Sequence, residues 1–243
     1  MRTTGNTIFL TGGTSGIGLE LARRFRDLGN TVIISGRRKD LLDKITAEDG
    51  LEGVELDVAD PASISAACET VTTKHPNLNV LITMAGIMQV EDLRDHDLAT
   101  AEQTITTNLL GTIRTVTAFT PHLLQQQDAV IMTVSSGLAF VPLAMTPTYS
   151  ATKAAVHSYT QSLRHQLPLQ VIELVPPAVQ TALLNQENDE RAMPLADYAD
   201  ETIQLLQNHP DAEEILFNRV HFLRDAEREN RHDQVFAALN SVA

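Results

Sequence analysis

The chain has 243 residues, 43% of them hydrophobic, which suffices for one well-buried α/β domain. With 31 acidic and 18 basic residues, its formal charge of -13 argues against nucleic acid or an anionic membrane as a partner. The single cysteine, Cys68, excludes an internal disulfide framework. No apolar run reaches the ~20 residues of a membrane span and no signal segment opens the chain, so a soluble, cytoplasmic protein is expected.

Strand and helix patterns alternate. Thr7–Leu10 is a short apolar run that leads into glycines. Ile17, Leu21, Phe25 and Leu28 then form a helical stripe, which Gly29-Asn30 stops. A second strand is expected over Thr31–Ser35, a helix over Arg38–Glu48 and a third strand over Val54–Leu56. Pro61 opens the next helix, whose stripe of Ile64, Cys68 and Val71 places the cysteine in the core. Val80–Ile82 is the fourth strand, followed by helical stretches over Leu98–Asn108 and Gly111–Gln125. After the fifth strand, Val130–Val134, Thr146 and Pro147 read as an N-cap and first position of a helix that runs through Tyr149 to Leu167. Val171–Val175 is the sixth strand. The polar run Asn185–Arg191 reads as a mobile loop, helical patterns resume after it, and Ala226–Leu239 reads as helical. Buried apolar strands alternating with helices predict an α/β fold, a doubly wound parallel sheet with helices on both faces.

The first strand enters Thr11-Gly12-Gly13-Thr14-Ser15-Gly16-Ile17-Gly18 and then a helix directly. Glycines allow a tight turn and close approach of a ligand, and a helix N-terminus offers unpaired N–H groups to an anion. This is the layout of a dinucleotide site, with the spacing G-x-x-x-G-x-G. The second strand ends in Ser35-Gly36-Arg37-Arg38, with no carboxylate for a ribose 2′-OH and two guanidiniums suited to a 2′-phosphate. NADP(H) is therefore favoured, with NAD(H) still admitted. A solvated basic helix start is the alternative reading of the two arginines.

Tyr149 and Lys153 stand four residues apart on one face of their helix, roughly 5–6 Å apart at Cβ. An ammonium beside a phenol favours phenolate, so the tyrosine is expected below its usual pKa of ~10. Its place in the first helical turn adds the helix dipole to that effect. Such a tyrosine gives and takes a proton near neutral pH. By itself the pair also reads as an ordinary surface contact. The eight histidines show no metal-ligand spacing, so no metal is expected, and His157 reads as a packing or solvent residue.

Together these residues resemble the short-chain dehydrogenase/reductase family, and the resemblance spans nearly the whole chain. It rests on Thr11 to Gly18, Asp57-Val58, Ala85-Gly86, Asn108, Ser135-Ser136, Tyr149 to Lys153 and Pro176 to Thr181 in order. The chain is most similar to the bacterial branch labelled as D-alanine esterification-associated oxidoreductases. The resemblance implies a Rossmann-like fold, with residues 1–243 as one dinucleotide-binding oxidoreductase domain. Tyr149 would be the general acid or base, and Lys153 would lower its pKa and bind the nicotinamide ribose. Ser136, thirteen residues before the tyrosine, would hydrogen-bond the substrate oxygen, and Asn108 would hold a water in a proton relay. Gly12, Thr14, Ser15, Gly16, Ile17, Gly18, Arg37, Arg38, Asp57, Val58, Ala85, Gly86, Val179 and Thr181 would contact the cofactor. The bland alternatives are that Asp57 caps a turn, Asn108 is a satisfied buried amide and Ser136 is a turn hydroxyl. One departure is Thr83-Met84 where the family usually has two asparagines, which removes polar support on that side. The implied function is hydride transfer between a nicotinamide cofactor and a carbonyl or alcohol, with a hydrophobic or aromatic ketone expected. Candidate wall residues are Met88, Leu138, Phe140, Val141, Leu143, Met145, Leu183 and Leu184. A homodimer or homotetramer is expected. The alternative is a catalytically silent dinucleotide-binding regulator.

Overall fold

A computed structural model describes residues 1–95 and 98–241. The first half runs β1 (Thr7–Thr11), α1 (Gly16–Asp27), β2 (Thr31–Gly36), α2 (Lys39–Asp49), β3 (Glu52–Glu55), α3 (Pro61–Lys74), β4 (Val80–Thr83) and α4 (Leu98–Ile105). A π turn, Thr106–Leu110, joins α4 directly to α5 (Gly111–Leu123). The second half runs β5 (Val130–Val134), a 3₁₀ turn at Gly137–Ala139, α6 (Pro147–Gln166), β6 (Gln170–Val175) and a 3₁₀ turn at Leu183–Asn188. It ends with α7 (Leu195–Asn208), β7 (Glu214–Leu216), α8 (His221–Arg224) and α9 (His232–Asn240). The strands form one parallel sheet in the order β3-β2-β1-β4-β5-β6-β7. The doubly wound α/β architecture is thus present, with helices on both faces.

Successive strand residues point to opposite faces, and both faces here are buried. Ile8, Leu10, Val32, Ile34, Val80, Ile82, Val130 and Met132 pack with α1 and α7 through Leu21, Phe25, Tyr198 and Leu206. Phe9, Ile33, Leu81 and Ile131 pack on the other side with α3 and α5 through Ile64, Val71, Val116 and Phe119. Phe9 and Phe119 stack with ring centroids 4.9 Å apart. No helix among the described residues is long and apolar enough to cross a membrane.

The structure differs from the sequence reading at the sheet edges and in the C-terminal part. β3 starts at Glu52 and ends before Leu56, earlier than the expected Val54–Leu56. As an edge strand it alternates half-buried and exposed residues and carries no apolar run to mark it. β7 is a further strand, only three residues long, that pairs with β6 on the opposite edge. The expected loop over Asn185–Arg191 begins instead inside the 3₁₀ turn, where Leu184 and Asn185 both take a left-handed φ of 54°. Residues 226–239 do not form one helix; α9 starts only at His232. The two expected helices over Leu98–Asn108 and Gly111–Gln125 are one continuous run, with Asn108 inside the π turn.

Candidate active site

The C-terminal ends of the parallel strands meet at one end of the sheet, where α/β folds place ligands. Beyond β1 the chain turns through Gly12, whose φ is +71°. A Cβ at Gly12 would lie 2.8 Å from Ala85 Cα, and one at Gly18 would lie 2.3 Å from Gly12 O. Only glycine permits the turn and the close seating of α1 on it. Ser15 occupies the N-cap position but makes no side-chain cap hydrogen bond. The first N–H groups of α1, including that of Ile17, therefore have no side-chain partner and face outward, as at an anion site. Thr181, beyond β6, comes close: its Cγ2 would be 3.5 Å from a Cβ at Gly16. Val179 is buried and pairs as an isolated bridge with Met193, which ties this segment to the chain before α7.

Thr14 packs on Gly36, where an added Cβ would lie 2.5 Å from Thr14 Cγ2. Gly36 is thus packed as well as uncharged, and a carboxylate there would require Thr14 to move. Arg37 and Arg38 follow, both exposed, and among the described residues neither guanidinium has a salt-bridge partner. Asp57 does cap a turn, its Oδ1 accepting from the Ala59 N–H at 2.9 Å. Val58 is buried, and a Cβ at Gly111 would meet it at 3.0 Å. Past β4, the Ala85 N–H donates to Thr11 Oγ1 at 3.1 Å and Thr83 Oγ1 donates to Met132 O. Gly86 is exposed, and a Cβ there would lie 3.3 Å from Asn108 Oδ1 and 3.9 Å from Lys153 Nζ.

Asn108 is buried, and its amide clamps two elements. Oδ1 accepts from the Ile87 N–H at 2.8 Å, while Nδ2 donates to Ile87 O at 2.8 Å and to Thr152 Oγ1 at 3.3 Å. Its own carbonyl accepts from Thr112 Oγ1 at 2.8 Å. The π turn is what brings this residue against α6; such turns recur at functional sites. Ser136 accepts from the Leu138 N–H at 3.2 Å, and its hydroxyl lies close enough to Tyr149 to act on the phenol. Lys153 Nζ lies 5.6 Å from the centroid of the Tyr149 ring and donates to Val134 O at 2.7 Å. The structure therefore brings Asn108, Ser136, Tyr149, Lys153 and Gly86 together beside the glycine turn.

The electrostatic expectation for the pair fails. The Tyr149 phenol is not lowered: burial pushes it up to about 12, with the neighbouring Ser136 acting weakly in the opposite direction. Lys153 is itself pulled down to about 8, mainly by burial, with Glu173 acting in the opposite direction. Desolvation outweighs the pairing because both groups are buried beneath the surface. Thr146 and Pro147 are the N-cap and first residue of α6 as expected, but Thr146 makes no side-chain cap bond and its hydroxyl donates instead to Leu143 O at 3.4 Å. Glu91 does this work from another loop, accepting from the Thr148 N–H at 3.0 Å and from Thr148 Oγ1 at 2.7 Å. A carboxylate at this helix start also offsets the dipole expected to act on Tyr149.

Other side chains are redistributed too. Val141 is fully buried in a separate cluster with Ala226 and Val235 and does not line the site. Phe140 stacks under Arg224, 4.5 Å from its guanidinium, and meets the edge of His157 at 4.9 Å. Leu138, Leu143, Met145, Met88, Leu183 and Leu184 are all half-buried. His157 packs as expected but also pairs with buried Glu173, so a purely solvent role is excluded. Glu91 and Glu173 were missed as neighbours of the site, and Ser135 was named only as part of the Ser135-Ser136 motif. Glu173 does carry a signal, as a lone acid inside a buried apolar strand. A cavity of about 520 Å³ lined by Met1, Asn6, Asp128, Pro168 and Pro210 lies at the other end of the sheet, away from this chemistry.

The residues present fit a dinucleotide. The start of α1 carries no side-chain cap, side chains at Gly12 or Gly18 would fill the cradle, and two exposed guanidiniums follow β2. Comparison with known proteins agrees. A family model described as short chain dehydrogenase matches residues 6–192. The "Uncharacterized oxidoreductase DltE" of Bacillus subtilis (strain 168) is 39% identical, over 99% of each chain. The "Uncharacterized oxidoreductase SA2266" of Staphylococcus aureus (strain N315) is 28% identical, over 87% of this chain and 96% of its own. Among solved structures, an alcohol dehydrogenase from Thermococcus sibiricus complexed with 5-hydroxy-NADP superposes with a TM-score of 0.80 at 24% identity, covering 87% of this chain and 95% of that one. A short chain dehydrogenase from Burkholderia cenocepacia J2315 in complex with NADP gives 0.83 at 22% identity, covering 97% and 99%.

Proposed function

This chain belongs to the short-chain dehydrogenase family, and on that premise we propose that it is an NADP-preferring oxidoreductase acting on a carbonyl or alcohol. The observation that carries the reading is the Lys153 ammonium 5.6 Å from the centroid of the Tyr149 ring, with Ser136 beside the phenol and an uncapped helix start nearby. When bound, the cofactor supplies the hydride. Gly12 to Gly18 and the start of α1 would hold its pyrophosphate, and Arg37 and Arg38 would bind a 2′-phosphate. In the direction of reduction, Tyr149 gives its proton to the substrate oxygen while the Ser136 hydroxyl donates a hydrogen bond to that oxygen. The raised phenol pKa keeps Tyr149 protonated at neutral pH, the state from which a general acid starts. Lys153 then sits beside the tyrosinate and favours its charge. Asn108 positions the Ile87 loop and α6 around this centre.

Half-buried Leu138, Leu143, Met145 and Met88 support a hydrophobic or aromatic ketone as substrate. Residues 1–243 are read as one domain, assembled as a homodimer or homotetramer in the cytoplasm. Ile105, Leu110 and Leu124 are exposed along α4 and α5 and support that assembly. The test is a panel of ketones run with NADPH and NADH on wild type and Arg37→Ala. A charge-assisted hydrogen bond of roughly 1.5–3 kcal/mol makes Arg37→Ala lower kcat/KM for NADPH about 10- to 100-fold, with little change for NADH. Equal weakening with both cofactors would reduce the arginines to a solvated helix start. Tight NADPH binding with no turnover on any carbonyl would favour the silent regulator instead.

A further inference from the structure

A buried ionic cluster lies beneath the site, and the chemistry proposed above does not use it. Glu173, in β6, is fully buried. A carboxylate so placed is costly unless it is paired and hydrogen-bonded. Ser135 Oγ donates to its Oε1, and His157 Nδ1 stands 2.8 Å from Oε2 and 3.0 Å from Oε1. An ionised carboxylate only accepts, so the imidazole donates from Nδ1. Ser135 directly precedes Ser136, and His157 is one turn beyond Lys153 on α6, so both neighbours of Glu173 border the site.

The surrounding charges come from every packed element. From α6 come Lys153, His157 and, farther out, Arg164. Glu214 comes from β7, and Arg224, with Asp225 just after it, from α8. Arg224 donates to both oxygens of Glu214 at 2.9 Å. With a neutral imidazole, Lys153 and Arg224 balance Glu173 and Glu214. His157, Glu173 and Glu214 also bring ligand atoms within 4.8 Å of one another. Arg224, however, already occupies both Glu214 oxygens, so the cluster is closed by an organic cation rather than open to a metal.

We propose that Glu173, held by Ser135 and His157, is a positioning residue that keeps the buried Lys153 ammonium charged beneath Tyr149. The proposal rests on the reading of Tyr149 and Lys153 given above. Burial alone drives the ammonium towards its neutral form, and Glu173 is the charge that opposes this. The two adjacent serines thereby divide their duties: Ser136 faces the phenol, and Ser135 faces the carboxylate.

The test is direct titration of Lys153 in full-length protein labelled with ¹⁵N-lysine, the Nζ signal being assigned by its loss in Lys153→Arg. Glu173→Gln removes the negative charge and keeps the shape, so the midpoint should fall by about one pH unit or more, since one unit is a factor of ten in proton affinity. His157→Asn keeps a donor near Nδ1 and should leave the midpoint within a few tenths of a unit of wild type. If Glu173→Gln does not fold, Ser135→Ala is read instead. It removes one donor from the carboxylate and should lower the midpoint in the same direction by less. An unchanged midpoint in whichever of the two is read overturns the proposal. The second arm is the pH profile of kcat/KM for reduction, whose alkaline limb should move down with the lysine midpoint. If the midpoint moves and the limb does not, Glu173 keeps its role and the proposed use of Lys153 in catalysis fails.

Discussion

The glycine turn between β1 and α1 takes its shape from its own backbone, whereas the start of α6 takes its shape from side chains that reach it from elsewhere. At the turn, Gly12 supplies a left-handed φ and Gly18 lets α1 sit against the Gly12 carbonyl. At α6, Glu91 caps the first turn from the β4–α4 connection, Asn108 ties in from the π turn, and Glu173 lies below from β6. The first region is fixed by a few adjacent residues and tolerates no bulk. The second is fixed by several separate contacts, so its properties can be adjusted one at a time.

The strongest way to break the comparison is to remove the one proton that the α6 region is built around. Tyr149→Phe keeps the ring and should lower kcat at least ~10²-fold, within the usual range for general acid–base catalysis. NADPH affinity, measured by fluorescence titration, should change little, because the glycine turn is untouched. Near wild-type turnover would refute the assignment.

Next is Gly18→Ala, which puts a Cβ 2.3 Å from Gly12 O. Overpacking of this kind costs about 1–3 kcal/mol. Denaturant melts should show that loss, and NADPH binding should weaken with it. A variant as stable as wild type would mean that the turn is less rigid than its geometry implies.

Glu91→Ala probes the distributed end. Losing a helix cap costs about 0.5–2 kcal/mol, while Glu91→Gln keeps an acceptor for the Thr148 N–H and should cost less. Thermal denaturation of the three proteins gives the order. Equal stability of Ala and wild type would remove Glu91 from the account.

The last effect is one of pH. Lys153 is pulled from 10.5 to about 8 in the folded chain, so between those values the unfolded state binds more protons. Stability from this group therefore rises with pH across that window, and the full cost of the buried ammonium is present below about pH 8. Relative to Lys153→Met, wild type should gain in Tm from pH 8 to pH 10. A difference that stays flat over that range would contradict the shift.

The same contrast explains what could be read in advance. The glycine turn and the strands before and after its helix follow from adjacent residues, since Thr7–Leu10 and Thr31–Ser35 are largely apolar runs that a parallel sheet buries on both faces. Tyr149 and Lys153 were legible because four residues make one helical turn. The protonation of that pair was not, because it depends on burial, which no local pattern encodes. Glu91 was equally hidden, as an acid in a loop that meets Thr148 only once the chain has folded. β7 escaped because three residues at a sheet edge leave almost no periodicity to count.

The π turn at Thr106–Leu110 sets the phase between α4 and α5. An α-helix advances about 100° per residue, and a wider turn absorbs an extra residue without breaking the run. Deleting one residue here, Thr106 for example, would restore a plain helix and rotate everything on one side of it by that angle. Asn108 would swing off Ile87 and Thr152, and the apolar side chains of Ile105 and Leu110 would no longer share their present alignment. One surplus residue thus indexes two surfaces at once, the interior contact with α6 and the outer face of the helix pair.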